Sequence, residues 1–321
     1  MKIIKIASVI VLGCLVSCKV QEKQVTTTSK TYAEISVKDG GKWEGRKYIG
    51  GIFKNVQSLK LAPEHTDHSF DIRYEGPGWE SNKIGYRLYL DWRNAIDIFG
   101  KKTEAMVLPQ VGQDGFDSYH EMQVWGSDIL KAGKGIGIGS IDRYLNKERL
   151  HFYEVDSTIA KVENKSNESG VKINYYGWKT ANDKIDLTSE LTINPDQRHT
   201  KHTIQASQPI AGICTGIVKQ KNTEVVKKVS QNKKWAYLAT YGAQTLVPDK
   251  LGMAIFYEIK TIESEVDAEF DHLLIFKPTT KPISFYFLGA WEQEVNGIKS
   301  QEEFSSYLDK KLAVLNTTNK I

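Results

Sequence analysis

Short runs in which apolar and polar residues alternate recur along most of the chain, each closed by Gly, Asn, Asp, Ser or Pro. That period of two is the signature of strands with one face buried. Between Tyr32 and Leu61, TYAEISVKDG alternates, Gly-Gly breaks it, and KYIGGIFKNVQSLKL resumes, which predicts strand–turn–strand. Phe70 to Glu75 reads as a strand running into the turn Gly76-Pro77-Gly78-Trp79. Ile84 to Leu90 sets Ile84, Tyr86, Leu88 and Leu90 against Gly85, Arg87 and Tyr89, so one face must accommodate Arg87. RYLNKERLHFYEV, STIAKVENKSNESG, VKINYYGWKT, KIDLTSELTINPDQRHTKHTIQAS and QPIAGICTGIVKQK follow as further alternating strands. Trp235 to Tyr241, Gly252 to Ile259, His272 to Phe276 and Ile283 to Ala290 extend the pattern.

One helix stands out, opened by Ser300-Gln301-Glu302-Glu303 with Phe304, Tyr307, Leu308 and Leu312 on one side. LDWRNAIDIFGK can make a helical turn, which Gly100 would end. There is no strand–helix–strand rhythm and no internal repeat. The pattern predicts an all-β protein, a large antiparallel β-sandwich with a short C-terminal helix. A super-sandwich of the mutarotase type is one form of it. Residues 32–321 are expected to form a single domain.

The N-terminus departs from this pattern. MKIIKIASVIVLGCLVSC has a basic start, an apolar run too short to span a bilayer, and then Cys18, so residues 1–17 read as a signal peptide. Leu15-Val16-Ser17-Cys18 is similar to a bacterial lipobox, which makes Cys18 the expected lipidation site; a plain secretory signal is the alternative. Residues 18–31, polar and aperiodic, read as a tether. The expected location is therefore the outer membrane, as an envelope lipoprotein on the periplasmic side. After processing only Cys214 remains as a free thiol, so the fold cannot rely on an intramolecular disulfide.

Composition narrows the partners. The net charge of +4 falls to about +2 without Lys2 and Lys5, far from the concentrated basic excess that nucleic acid demands. Seven Trp and 15 Tyr suit a β-rich protein with stacking surfaces.

The polar load concentrates between Tyr86 and Gly139. Buried charge costs several kcal/mol per group unless it is paired or used, so this stretch is expected to wall a cleft for a polar, anionic ligand. Asp117-Ser118-Tyr119-His120-Glu121 supplies an acid/base couple, with Trp125, Asp128 and Lys131 close by in sequence. A histidine satisfied under a loop is the plainer alternative. In Asp91-Trp92-Arg93-Asn94-Ala95-Ile96-Asp97, Arg93 either clamps an anion or pins a strand end to an aspartate. Gly100-Lys101-Lys102-Thr103 and Gly133-Lys134-Gly135-Ile136-Gly137-Ile138-Gly139 lack the strand–helix context of nucleotide loops. Alternating glycines instead point to close backbone approach. Loop residues His65 and His68, with Glu64 and Asp67, are candidate metal ligands, although a solvated loop accounts for them as well. The cofactor requirement is open and no metal ligand is assigned; a divalent cation is one option. Arg198-His199-Thr200-Lys201-His202 reads as a solvated strand entry, with His202 able to turn inward.

YRLYLDWRNAIDIFGKK, DSYHEMQVWGSDILKAGKGIGIG, YGAQTL with LGMAI, and LGAWEQEVNGIKSQEEF together resemble a bacterial envelope family from polysaccharide-utilisation systems, long catalogued as a domain of unknown function. The resemblance extends over most of the mature chain and includes the ulvan oligosaccharide dehydratase of marine bacteria. It implies removal of water from a non-reducing-end glucuronic or iduronic acid linked to sulfated rhamnose, leaving a 4,5-unsaturated uronate. The implied partner is an anionic, sulfated oligosaccharide, with the membrane met only through the lipid anchor. Such an elimination needs a cation against the substrate carboxylate, a base for the α proton and an acid for the departing hydroxyl. The residues allotted to these roles are Arg93 and Lys101 as clamp, and His120 as base with Tyr119 as acid, the last two exchangeable. Lys131 and Arg73 are candidates for the sulfate, and Trp125 for stacking on a sugar. An endo-acting polysaccharide lyase on a uronate polymer and a non-catalytic carbohydrate-binding lipoprotein are the competing readings.

Overall fold

Strand Ile283–Trp291 shows how the alternation is used. Ile283, Phe285 and Phe287 enter the main core on one side of the sheet, while Tyr286, Leu288 and Ala290 join a second core on the other. Both faces are buried because this strand lies inside a nine-stranded antiparallel sheet covered on two sides. The computed structural model describes residues 29–114, 118–221, 223–247 and 249–321. The signal segment and Cys18 lie outside the described residues, as does most of the tether; Ser29 and Lys30 are exposed, and Thr31 is already in a strand.

The nine-stranded sheet runs, edge to edge, through Val225–Val229, Trp235–Ala243, Lys250–Glu258, Ile283–Trp291, His199–Ala206, Asp183–Ile193, Ser169–Thr180, Ser157–Asn164 and Ser58–Lys60. Two five-stranded antiparallel sheets share its main core. One orders Thr31–Glu34, Gly78–Ser81, Ile84–Leu88, Ile96–Lys101 and Gly126–Asp128. The other orders Glu148–Leu150, Asp142–Leu145, Ile213–Val218, Asp271–Phe276 and Ile262–Asp267. The result is a β-sandwich, the predicted class.

Helix Gln301–Thr318 packs on the opposite face of the large sheet, burying Phe304, Leu308, Leu312 and Leu315. Each such side chain contributes roughly 1.5–3 kcal/mol. Ser300 caps its start, accepting from the Glu303 N–H at 3.1 Å, while the Lys299 N–H donates to the Glu303 carboxylate at 2.8 Å. At 18 residues it is longer than the short helix predicted. Among the described residues no helix is long and apolar enough to cross a membrane.

Two local expectations fail. LDWRNAIDIFGK is not helical: after a turn at Asp91–Asn94 it enters the fully buried strand Ile96–Lys101, whose β-branched and aromatic residues prefer the sheet. The segment Phe70 to Glu75 is not a strand. It closes in a 3-10 turn, Arg73–Glu75, with Tyr74 (φ 42°) and Glu75 (φ 68°) in the left-handed region. Such conformations cost about 1–3 kcal/mol each and persist only where surroundings over-determine them.

A separate hairpin, Ser36–Glu44 with Lys47–Asn55, turns tightly at Gly45 and carries an edge-on Trp43–Tyr48 pair at 5.3 Å. In the glycine ladder Gly135, Gly137 and Gly139 make the close approaches expected of it, whereas Gly133 faces open space. A Cβ on Gly137 would stand 1.9 Å from the Ile96 carbonyl, and one on Gly139 would strike the Phe287 ring.

Candidate active site

The register of one sheet assembles a buried charge centre. Arg87 lies directly across from Asp97, and Asp128 on the next strand is paired with Phe99, two residues along. All three side chains point to the face away from the core residues Ile84, Tyr86 and Leu88. Arg87 Nη2 donates to Asp128 Oδ2 at 2.6 Å, to Asp97 Oδ2 at 3.2 Å and to the Tyr89 hydroxyl at 3.0 Å. Its Nη1 donates to Tyr119 Oη at 3.1 Å and to Glu75 Oε2 at 3.4 Å. The strained turn is what inserts Glu75: its other oxygen accepts from Arg93 Nη2 at 2.8 Å, so one carboxylate bridges two guanidiniums. The Tyr89 ring lies between the same two cations, 4.1 Å from Arg93 and 4.7 Å from Arg87.

Carboxylates outnumber cations here. Burial and then repulsion from Asp128 push the Asp97 carboxyl up to about 7, against the opposing pull of Arg87. Its Oδ1 has no hydrogen-bond partner among the described residues.

Tyr119 and His120 come from the 3-10 turn Ser118–His120, with ring centroids 4.5 Å apart. His120 Nε2 lies 3.4 Å from Asp128 Oδ2, and its side chain is one-third exposed (34%). Burial pushes the Tyr119 phenol well above its ordinary range, so it stays protonated. Tyr119 also borders a cleft of about 380 Å³ that lies against the hairpin, with Lys38, Tyr74 and Asp114 among its walls.

The other sequence-derived residues go elsewhere. Lys101 is turned into the protein, its ammonium bonding Glu80 Oε2 and the Ser81 carbonyl, both at 2.6 Å, so it clamps no ligand. Glu80 in turn accepts from the Val107 and Leu108 N–H groups, which makes the pair a structural post. Arg73 is buried against Glu34, with Nη1 on the Pro109 carbonyl at 3.2 Å, and cannot meet a sulfate. Trp125 packs edge-on against Phe99 at 5.9 Å in a small core, not as an open plate. Lys131 is exposed and does not line the cleft that Tyr119 borders. Arg93 is held by Asp91, Glu75 and Asp67, the strand-end pinning that was the alternative to a clamp.

His65 is turned inward onto Asp71 at 2.8 Å and so is no partner to His68. Asp67, His68 and Glu75 do bring ligand atoms within 4.8 Å of one another. Arg93 Nη2 already contacts both carboxylates, at 2.9 and 2.8 Å, so a guanidinium fills the cation's place. His202 is inward-facing, between Ser189 Oγ (2.7 Å) and the Gly139 carbonyl (2.9 Å), and burial lowers its pKa to about 4.

Sequence reading missed a second cluster. Arg149, His151 and Tyr153 alternate in ERLHFYE and reach one side of a separate cleft of about 450 Å³ together with Trp92. Their spacing of two was the available signal.

No curated protein matches the chain. Among solved structures, it is similar to a candidate aldose 1-epimerase from Klebsiella pneumoniae subsp. pneumoniae MGH 78578, at 7% identity and TM-score 0.34, covering 76% of this chain and 84% of that one. It is also similar to a TPR-domain containing protein from Parabacteroides distasonis ATCC 8503, at 8% identity and TM-score 0.30. That match covers 81% of this chain and spans only 54% of the other. Likenesses this distant say nothing about activity. Family membership rests on sequence instead: the family described as Domain of unknown function (DUF4861) matches residues 14–321, and the chain belongs to it.

Proposed function

We propose that this protein is a dehydratase acting on the non-reducing-end uronic acid, glucuronate or iduronate, of ulvan-type oligosaccharides, a carbon–oxygen lyase that eliminates water to give a 4,5-unsaturated uronyl residue. The sequence resemblance suggests the substrate. The observation that carries the chemistry is the adjacent Tyr119–His120 couple, tied on one side to a buried guanidinium and on the other to a buried carboxylate.

The roles follow from those partners. His120, oriented by Asp128, takes the proton from the carbon α to the substrate carboxylate. The released electron pair forms the new carbon–carbon double bond and expels the hydroxyl from the neighbouring carbon. Tyr119, protonated because it is buried, gives that hydroxyl its proton, and the product leaves with one water. The Arg87 guanidinium, 3.1 Å from the phenol oxygen, stabilises the phenolate left behind. Return of the proton from His120 to Tyr119 resets the pair. The substrate carboxylate is assigned to Lys38, on the wall of the cleft that Tyr119 borders, the role sequence reading gave to Arg93 and Lys101.

Mass spectrometry of products from saturated uronyl oligosaccharides tests this reading. Dehydration removes the mass of one water without shortening the chain and raises ultraviolet absorbance. His120→Ala is expected to abolish that change while leaving ligand affinity nearly intact. Chain shortening with new reducing ends would mean an endo-acting lyase, and binding without any product would leave only a carbohydrate-binding role.

A further inference from the structure

The second cleft shares no lining residue with the first. Its floor is a fixed cation: Arg149 Nη1 donates to Asp271 Oδ2 at 2.7 Å, and Nη2 to the Lys134 carbonyl at 2.6 Å. Arg149 Nε lies 3.3 Å from the buried Asp142. His151 Nδ1 sits 2.9 Å from Asp142 Oδ2. One wall is aromatic. Trp92 and Tyr153 stack with centroids 4.8 Å apart and planes 14° from parallel, and His151 meets both rings edge-on.

Two features of this wall have no structural explanation in the fold. Tyr153 leaves 66% of its surface in solvent although it already has a stacking partner. Phe270 is likewise exposed, with the Lys134 ammonium 5.4 Å from its ring. A tight turn with Asn146 and Lys147 at positive φ, between Asp142–Leu145 and Glu148–Leu150, presents Lys147 at the rim. Exposed aromatic faces beside fixed cations suit a pyranose ring that carries an acidic group. The ring's C–H face covers the aromatic, and the anion meets ammonium or guanidinium.

We infer that the Trp92–Tyr153–Arg149 cleft is a second saccharide-binding site, separate from the Tyr119–His120 centre, taking a sugar residue that bears a carboxylate or a sulfate. The inference rests on the dehydratase reading only for the choice of probe. Arg93 lies between the two places: it lines this cleft and bonds Glu75 of the other.

The test is calorimetric titration with a sulfated uronyl tetrasaccharide, its desulfated form and its carboxyl-reduced form. Each is measured on the intact protein and on His120→Ala, so that turnover does not mask binding. Tyr153→Ala, at an exposed position that spares the fold, is expected to weaken binding about tenfold, and Lys147→Ala about threefold. Whichever chemical trimming weakens binding more identifies the anion. Ligand-induced change in tryptophan emission should vanish in Trp92→Phe. Affinity unchanged by Tyr153→Ala, emission change retained in Trp92→Phe, or no binding of any of the three sugars overturns the inference. Tyr153-sensitive binding without any product would instead remove the dehydratase reading and leave this site standing.

Discussion

Arg87 and Arg149 occupy comparable positions, each a guanidinium held by at least two aspartates in a five-stranded sheet, yet they are used differently. Around Arg87 the partners close in: three carboxylates, two phenols and a backbone carbonyl surround its two terminal nitrogens, and the side chain is buried from water. Arg149 is also largely enclosed, its side chain 9% exposed, but it lines a cleft with exposed aromatics. A fully enclosed cation organises its neighbours and tunes their protons. One that borders a cleft stands where a ligand can reach it.

The largest expected effect comes from breaking the closed centre. Arg87→Met leaves Glu75, Asp97 and Asp128 without their shared cation and should cost about 3–5 kcal/mol of unfolding free energy in urea titrations. Arg149→Met, at the border of a cleft, should cost distinctly less. Equal losses would erase the distinction drawn between the two arginines.

Proton linkage is next in size. The folded Asp97 carboxyl, at about 7, lies above its ordinary value of 3.8, so the native state holds a proton that the unfolded chain releases. The stability this group confers is complete below about pH 4 and is lost as pH rises towards 7, a change bounded at about 4 kcal/mol. Asp97→Asn should flatten that part of the stability–pH curve. Asp271, raised by burial to about 6 despite Arg149, covers a narrower window, so Asp271→Asn should flatten less. Thermal unfolding at several pH values reads both.

The smallest effect on stability belongs to the groups assigned chemistry. Tyr119→Phe deletes one hydroxyl and should cost about 1 kcal/mol of stability, while turnover falls about 10²–10⁴-fold. A variant that keeps full turnover would remove Tyr119 as the acid.

How far the residues could be read depended on the distance to their partners. The strands Trp235–Ala243, Lys250–Glu258, Asp271–Phe276 and Ile283–Trp291 begin and end within about two residues of their predicted limits, because alternation is a local signal. Arg87 was legible as a charge demanding a polar face, but the acids forming that face were not identified. Lys101 and Arg73 read as available because the acids that neutralise them are not their sequence neighbours. Their partners, Glu80 and Glu34, arrive from 21 and 39 residues away. Arg149, His151 and Tyr153 were read only as strand residues, since their value depends on Trp92 meeting them across the fold.

The sequence by itself determined the layers: period-two strands, a capped amphipathic helix, and glycines where backbones touch. Those outcomes follow from local sterics and from burial of every second side chain. Which charges are spent inside the protein and which remain for a ligand was decided only by tertiary structure. A charge is neutralised by whatever group the fold sets within about 3 Å of it, and strand register, not chain order, fixes that neighbour.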